Sequence, residues 1–420
     1  MTPTTTGEGS ALVRCTDDVG AFLDLDWGRR ARVWLGRDRA GDFGDLLTLD
    51  DVDRALTTTA LRTPFFRLVR AGERIAPAAY ARSGRAGSRP VAGIVDPVAV
   101  ATLFEQGATI VLQAMHRWSE PVARFCRDLE MELGFPCQAN AYVTPAGAQG
   151  LELHHDPHDV FVLQAFGRKR WEVHAAPAEA ARGPWEAEVG AGDTIYMPAG
   201  TPHAAFAQEQ VSGHLTVGVH VAAWRDAVAG AWASVTEHEP SLDEALPAGW
   251  HRRDPGELAK ELGERLHAVA DRLLDVDGVG VMQQRADRFL SSRAPLSRGS
   301  IVERAAPPIL DDTTLVARRP GAICVTRLDE GSLVVLLGDR RLRMPAWLEP
   351  AVRRLADDGP VTVGDLADVV TDPDSRIVLV RRLIAEGLLR VDALHEDALE
   401  GDPRAASDPA RLTDAGLGDA

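Results

Sequence analysis

Between Gln138 and Ala223 the apolar positions of this chain recur with a period of two. The stretches "QANAYVTP", "DVFVLQAFG", "KRWEVH", "GDTIYMPAG" and "HLTVGVHVAAW" are short, rich in β-branched and aromatic residues, and separated by Gly or Pro turns. That pattern predicts an antiparallel sandwich or barrel. On either side the period changes. Val122, Phe125, Cys126, Leu129 and Leu133 form a helical stripe, which makes Cys126 a packing residue. Near residue 50, "LTLDDVDRAL" predicts a helix capped by Asp50 or Asp51. Residues 229–295 return to helix: Asp254-Pro255-Gly256-Glu257 supplies a cap, a first-turn proline and an acid, and Leu258, Leu262, Leu266, Val269 and Leu273 follow at helical spacing. Beyond a linker near "RAAPPILDD", two short strands precede three helical segments and a last strand, the order of a winged-helix module.

The spacing divides the chain into a flexible tail (1–16), a β-rich core domain with its lead-in (17–228), a helical domain (229–300), a winged-helix-like domain (301–395) and an acidic tail expected to be disordered (396–420). The fold class expected is α+β, and 420 residues suit such a multi-domain chain.

Charge and composition narrow the function. A formal charge of −16 argues against nucleic-acid binding, because phosphate contacts need a basic surface. From Met344 to Val391, six arginines stand against eight acidic residues, so the helix-turn-helix pattern predicts protein contacts rather than DNA. No apolar run approaches the roughly 20 residues that cross a bilayer. The start of the chain lacks an apolar run behind basic residues, so a cytoplasmic protein is expected. Cys15, Cys126, Cys137 and Cys324 lie far apart without a CxxC pair, which fits a reducing compartment and neither a disulfide framework nor a zinc ribbon.

The candidate chemistry sits in "LELHHDPHDVFVLQAFGRKRW", residues 151–171. On a strand, residues two apart face the same side, so His154 and Asp156 point together and His155 points away. A third ligand is offered by His203 in "GDTIYMPAGTPH", which follows the second signature of cupin barrels but has Ala207 where that signature usually has Asn. Two imidazoles and one carboxylate form the facial set of non-haem Fe(II) oxygenases. Structural zinc would close all four of its positions, usually with thiolates, and no cysteine lies near either half of this site. In "GRKRWEV" the alternation puts Lys169, Trp171 and Val173 on the interior face. An inward lysine is costly unless it meets an anion, and the only other lysine in the chain is Lys260. A dicarboxylate such as 2-oxoglutarate, chelating a metal at one end and meeting Lys169 at the other, resolves that cost. The alternative is an amine reaching solvent from a barrel edge.

With these residues the chain resembles the JmjC-type, cupin-fold oxygenases of the ribosomal-oxygenase branch. The likeness runs through "NAYVTPAGAQGLELHHDPHDVFVLQAFGRKRWEVH", "GDTIYMPAGTPHAA" and "SGHLTVGVH", then the helical and winged-helix regions in the family's order. The resemblance implies a double-stranded β-helix (jelly-roll) catalytic core, a helical region that makes a homodimer, and a winged helix not normally used on DNA. It implies that His154, Asp156 and His203 bind Fe(II), and that Lys169 and Tyr142 contact the far carboxylate of 2-oxoglutarate. Asn140 is expected to line the same pocket, with His214 and Thr216 on its floor. His158 is expected to be exposed, and His174 and His220 to be structural.

The activity expected is Fe(II)-, 2-oxoglutarate- and O2-dependent hydroxylation of a protein side chain, an arginine or histidine of a ribosomal protein being the family's implication. The choice between those two does not carry over from one sequence. The same chemistry on a peptide or small-molecule natural product is the alternative, as is a cupin that binds metal without turnover.

Overall fold

The computed structural model describes residues 10–36, 42–149, 151–175, 183–207, 209–357 and 359–392. The acidic segment 396–420 and residues 1–9 of the expected N-terminal tail lie outside the described residues. Contacts divide the chain into two compact units, Met1–Met282 and Gln283–Ala420.

The first unit carries thirteen strands among its described residues: β1 (Arg32–Trp34), β2 (Phe66–Arg70), β3 (Glu73–Arg74), β4 (Ala81–Ala86), β5 (Arg89–Val95), β6 (Thr109–Leu112), β7 (Cys137–Thr144), β8 (Asp159–Phe166), β9 (Lys169–Val173), β10 (Trp185–Val189), β11 (Thr194–Met197), β12 (His203–Ala207) and β13 (Ser212–Val219). Eight of them form one sheet in the order β1-β11-β8-β13-β7-β6-β2-β3, and a second sheet has the order β10-β9-β12. Neighbours in both are antiparallel. The alternation of β8 explains the layering. Phe161, Leu163 and Ala165 enter a core shared with the helix Glu120–Leu133, while Val160 and Val162 join Trp171, Val173 and Val189 of the smaller sheet. A strand covered on both faces reads as a continuous apolar run, as "VFVL" does. The two facing sheets form the jelly-roll expected of the cupin pattern.

Two local expectations change. The helix Leu49–Thr58 is capped by Thr48, not by Asp50 or Asp51. The Thr48 hydroxyl accepts from Asp51 N at 3.1 Å and the Asp51 carboxylate accepts from Thr48 N at 2.9 Å. The hydroxyl two residues before Asp50 satisfies the first-turn amide, leaving Asp51 as the acid at the third helical position. Residues Ala11–Cys15, assigned above to a flexible tail, form a helix with Leu12 and Cys15 buried. Its cap is Ser10, and Leu12 N donates to Glu132 Oε2 at 2.7 Å. A short apolar segment gained order there by packing on a helix remote in sequence. Cys126 is buried on its helical stripe as expected, and burial pushes its thiol up.

At the end of this unit lie the helices Trp224–Glu237 and Pro255–Leu274, the latter capped by Asp254. The second unit contains the sheets β18-β14-β19 and β15-β16-β17, built from β14 (Leu315–Arg318), β15 (Val325–Asp329), β16 (Ser332–Leu336), β17 (Arg341–Pro345), β18 (Val361–Thr362) and β19 (Leu389–Val391). The helices Glu349–Ala356 and Pro373–Ala385 close its core with Val352, Leu355, Val380 and Leu383.

Candidate metal centre and its cavity

His154 and His203 are brought together by backbone pairing. His154 N donates to His203 O at 3.1 Å and His203 N donates to His154 O at 2.8 Å, an isolated antiparallel bridge between His154 and the first residue of β12. Residues that exchange both bonds stand directly opposite each other with side chains on one face. The two rings are accordingly 4.5 Å apart between centroids. The expected pairing of His154 with Asp156 on a strand is not how the site forms, because β8 begins only at Asp159. Asp156 is instead held by the turn that precedes His203: Gly200 N donates to Asp156 O at 2.8 Å. Gly200 has φ of +81°, a conformation that favours glycine.

One side-chain atom from each of His154, Asp156 and His203 lies within 4.8 Å of the others, a set able to hold a metal ion. The Nδ1 atoms of His154 and His203 each stand 2.9 Å from a carbonyl oxygen two residues back, that of Glu152 and of Thr201. A carbonyl only accepts, so both Nδ1 atoms carry the proton and both Nε2 lone pairs are left for a cation. Burial lowers the His203 imidazole to about 4, so it is neutral at physiological pH.

The opposite end of the cavity is built on strand pleats. Lys169, Trp171 and Val173 are buried and alternate with half-buried Arg170 and Glu172, as the sequence pattern predicts. Lys169 is 2% exposed. Its Nζ crosses from the small sheet to the large one, 3.3 Å from Tyr142 O and 2.9 Å from His214 Nδ1. Among the described residues it pairs with no carboxylate, and burial lowers the amine to about 7. The Tyr142 and His214 rings stack at 5.2 Å, and Trp171 meets His214 edge-on at 5.2 Å. Trp171 Nε1 is buried without a hydrogen-bond partner among the described residues. A cavity wall with a buried amine and an orphaned N–H, both donors, fits an anionic ligand.

The cavity is lined by residues that include His154, Asp156, His203, Lys169, Tyr142, His214 and Thr216. Asn140 is not part of that wall. Its side-chain oxygen accepts from Ala114 N at 2.9 Å, fastening the loop where Ala114 adopts φ of +52°. His158, expected to be exposed, is half-buried: it packs against His220 at 5.0 Å between ring centroids and occupies the space that a side chain at Gly218 would need. His174 pairs with Glu172 at 2.9 Å, away from the cavity wall.

Arg67 was not visible from sequence. The register runs Arg67–Val111–Tyr142–His214–Gln164 across β2, β6, β7, β13 and β8, so these positions share a face. The Arg67 guanidinium hydrogen-bonds the Tyr142 phenol, whose pKa is raised by burial and pulled back by that cation. Only the strand order, which joins segments far apart in the chain, reveals this row.

The JmjC domain family matches residues 112–227. Ribosomal oxygenase 2 of Bos taurus is 27% identical over 334 residues, covering 68% of this chain and 72% of that protein. The bifunctional lysine-specific demethylase and histidyl-hydroxylase NO66 of Dictyostelium discoideum is 26% identical over 308 residues, covering 66% of this chain and 58% of its own. Among solved structures, the Escherichia coli ribosomal oxygenase YcfD shares the fold, with a TM-score of 0.55 at 20% identity over 90% of this chain and 99% of that one. It has also been solved in complex with cobalt and 2-oxoglutarate, which matches at a TM-score of 0.54. Residues 112–227 thus match a JmjC domain, and these similarities support a 2-oxoglutarate-dependent oxygenase that resembles the ribosomal oxygenases.

Proposed function

We propose that this chain hydroxylates a protein side chain, with His154, Asp156 and His203 as the iron ligands and Lys169 as the anchor of the far carboxylate of 2-oxoglutarate. The observation that carries this reading is the pairing of a two-histidine, one-carboxylate cluster with a buried amine that has only neutral partners within one cavity. When bound, the iron supplies oxygen activation, coupled to the oxidative decarboxylation of 2-oxoglutarate to succinate and CO2. The chain's own residues do the rest. The carbonyls of Glu152 and Thr201 fix the imidazole tautomers. Lys169, as an ammonium, pairs with the carboxylate, and the Tyr142 hydroxyl beside Arg67 adds a second polar contact. Val160, Val162 and Trp171 exclude water around the reacting groups.

The substrate we propose is a basic ribosomal protein. The relatives named as ribosomal oxygenases and the net charge of −16, which attracts cationic partners, both support it. The test is succinate formation from 2-oxoglutarate by purified protein with Fe(II) and ascorbate, run against a panel of ribosomal proteins by intact mass. Gain of one oxygen atom on one of them is expected. Absence of both succinate and metal binding under every condition sinks the enzyme reading, whereas turnover only with a small molecule redirects the substrate.

We also propose a homodimer formed by the helical region. Trp224 is 79% exposed, and Val228, Trp232, Leu262 and Leu266 are exposed beside it in sequence on the two helices, an apolar surface that a partner copy would cover. Light scattering at twice the chain mass is the expected result. For the winged-helix-like region 301–395 we propose protein contacts rather than DNA. A salt-sensitive gel shift would count against that.

A further inference from the structure

The turn Pro198–Thr201 restrains the candidate metal site at three points. Thr201 N donates to Pro198 O at 3.2 Å, closing a turn with Gly200 at its third position and φ of +81°, the geometry of a type II turn. From this turn Gly200 N holds Asp156 O, Thr201 O holds His203 Nδ1, and the chain then enters the His154–His203 bridge. The turn therefore fixes the backbone of Asp156 and the ring of His203 directly. One amide remains, that of Ala199, and it donates to the buried carboxylate of Asp159 at 2.9 Å.

The Asp159 carboxylate faces two donors, one on each oxygen. Its second oxygen accepts a hydrogen bond from the Tyr196 hydroxyl, which in turn accepts from Gly28 N at 2.7 Å. Tyr196 is itself packed on Phe22, Trp27 and Phe161. Asp159 is thus anchored on one side to the aromatic core and tied on the other to the turn. It lies three residues beyond Asp156, so it joins both chain segments that deliver the cluster. Burial raises the pKa of this carboxyl, so its retention in the core needs partners of the kind these two donors supply.

We propose that Asp159 is a positioning residue for the metal centre, holding Asp156 and His203 in register through the Ala199 amide. This rests on the metal-ligand reading above. Its test is Co(II) affinity, together with the visible d–d spectrum of the cobalt protein, in the full-length chain. Asp159→Ala is expected to weaken Co(II) about tenfold or more, in the range for loss of a group that orients ligands, and to shift the d–d bands. Asp159→Asn keeps an oxygen for the Ala199 amide and should rescue affinity to within about threefold of wild type, since the neutral acceptor still makes the bond. Ala199→Pro removes the donor itself at a turn position that favours proline, so it tests the same bond without touching the carboxylate. It should reproduce the Asp159→Ala loss, and it decides the matter if Asp159→Ala fails to fold. Unchanged cobalt affinity and spectrum in folded Ala199→Pro, or an Asp159→Asn as weak as Asp159→Ala, overturns the proposal. Wild-type protein that takes up no cobalt overturns the metal reading and this inference with it.

Discussion

The two ends of the cavity are held in place by opposite means. The cluster end is carried on the segment before β8 and on the first residue of β12, and its precision comes from backbone hydrogen bonds: the His154–His203 bridge, the Gly200 amide and two carbonyls that fix tautomers. The lysine end is carried on β7, β9 and β13, where the pleat aims the side chains and burial does the rest. A loop-borne end can be tuned by hydrogen bonds at little cost to the barrel. A strand-borne end is fixed by the pleat, and its buried amine is a cost that the proposed anionic ligand would relieve.

This contrast can be broken most severely at the cluster. His203→Ala removes one of the three proposed ligands and should weaken metal binding by more than the roughly 10–100-fold expected for losing an outer partner, as titration with Co(II) would show. The fold should survive, with an unchanged far-UV spectrum. Lys169→Met comes next. It should raise the dissociation constant of 2-oxoglutarate by about 10–100-fold, the loss of a charge-assisted contact worth about 1.5–3 kcal/mol. The same variant should melt at a higher temperature, because a buried amine with neutral partners gives way to an apolar chain of similar length. A lower melting temperature would mean that the amine is already well paired.

The pH dependence sharpens the same point. The Lys169 amine titrates at about 7 when folded, against about 10.4 in an unfolded chain. Between those values the unfolded state binds the extra proton, so the ligand-free protein should gain stability as pH rises through that window. Below about 7 both states are protonated and the penalty is fully present. Denaturant titrations from neutral to alkaline pH should show this slope in wild type and not in Lys169→Met. Affinity for the dianion should move the other way, weakening as the ammonium is lost. The smallest effect is expected at Asn140→Ala, which removes the bond to Ala114 N. It should cost about 1 kcal/mol of stability and leave 2-oxoglutarate affinity nearly unchanged.

What was legible in the sequence follows the same division. Alternation in "GRKRWEV" placed Lys169 and Trp171 inward because a pleat has a fixed period, and the structure agrees. The cluster residues were found by their spacing, yet the reason given for His154 and Asp156 differed from the one observed, since backbone bridges leave no periodic trace. Asn140, two residues from Tyr142 on the same strand, is expected in the pocket, but nothing local in the sequence shows that its side-chain oxygen is claimed by a neighbouring loop. His158 was expected in solvent because nothing local shows that Gly218 leaves room for it. Arg67 and the Asp159–Ala199 tie depend on which strands and turns become neighbours, which is a property of topology alone.

The bridge between His154 and His203 has a mechanical consequence. Two reciprocal bonds join His154 to the first residue of β12 as an isolated bridge, with no continuous ladder on either side of it. A cation shared by the two imidazoles would act as a rivet across it, so stripping the ion should let the rim breathe while the barrel stays shut. Amide hydrogen exchange at these two positions would then report metal occupancy directly, without any turnover.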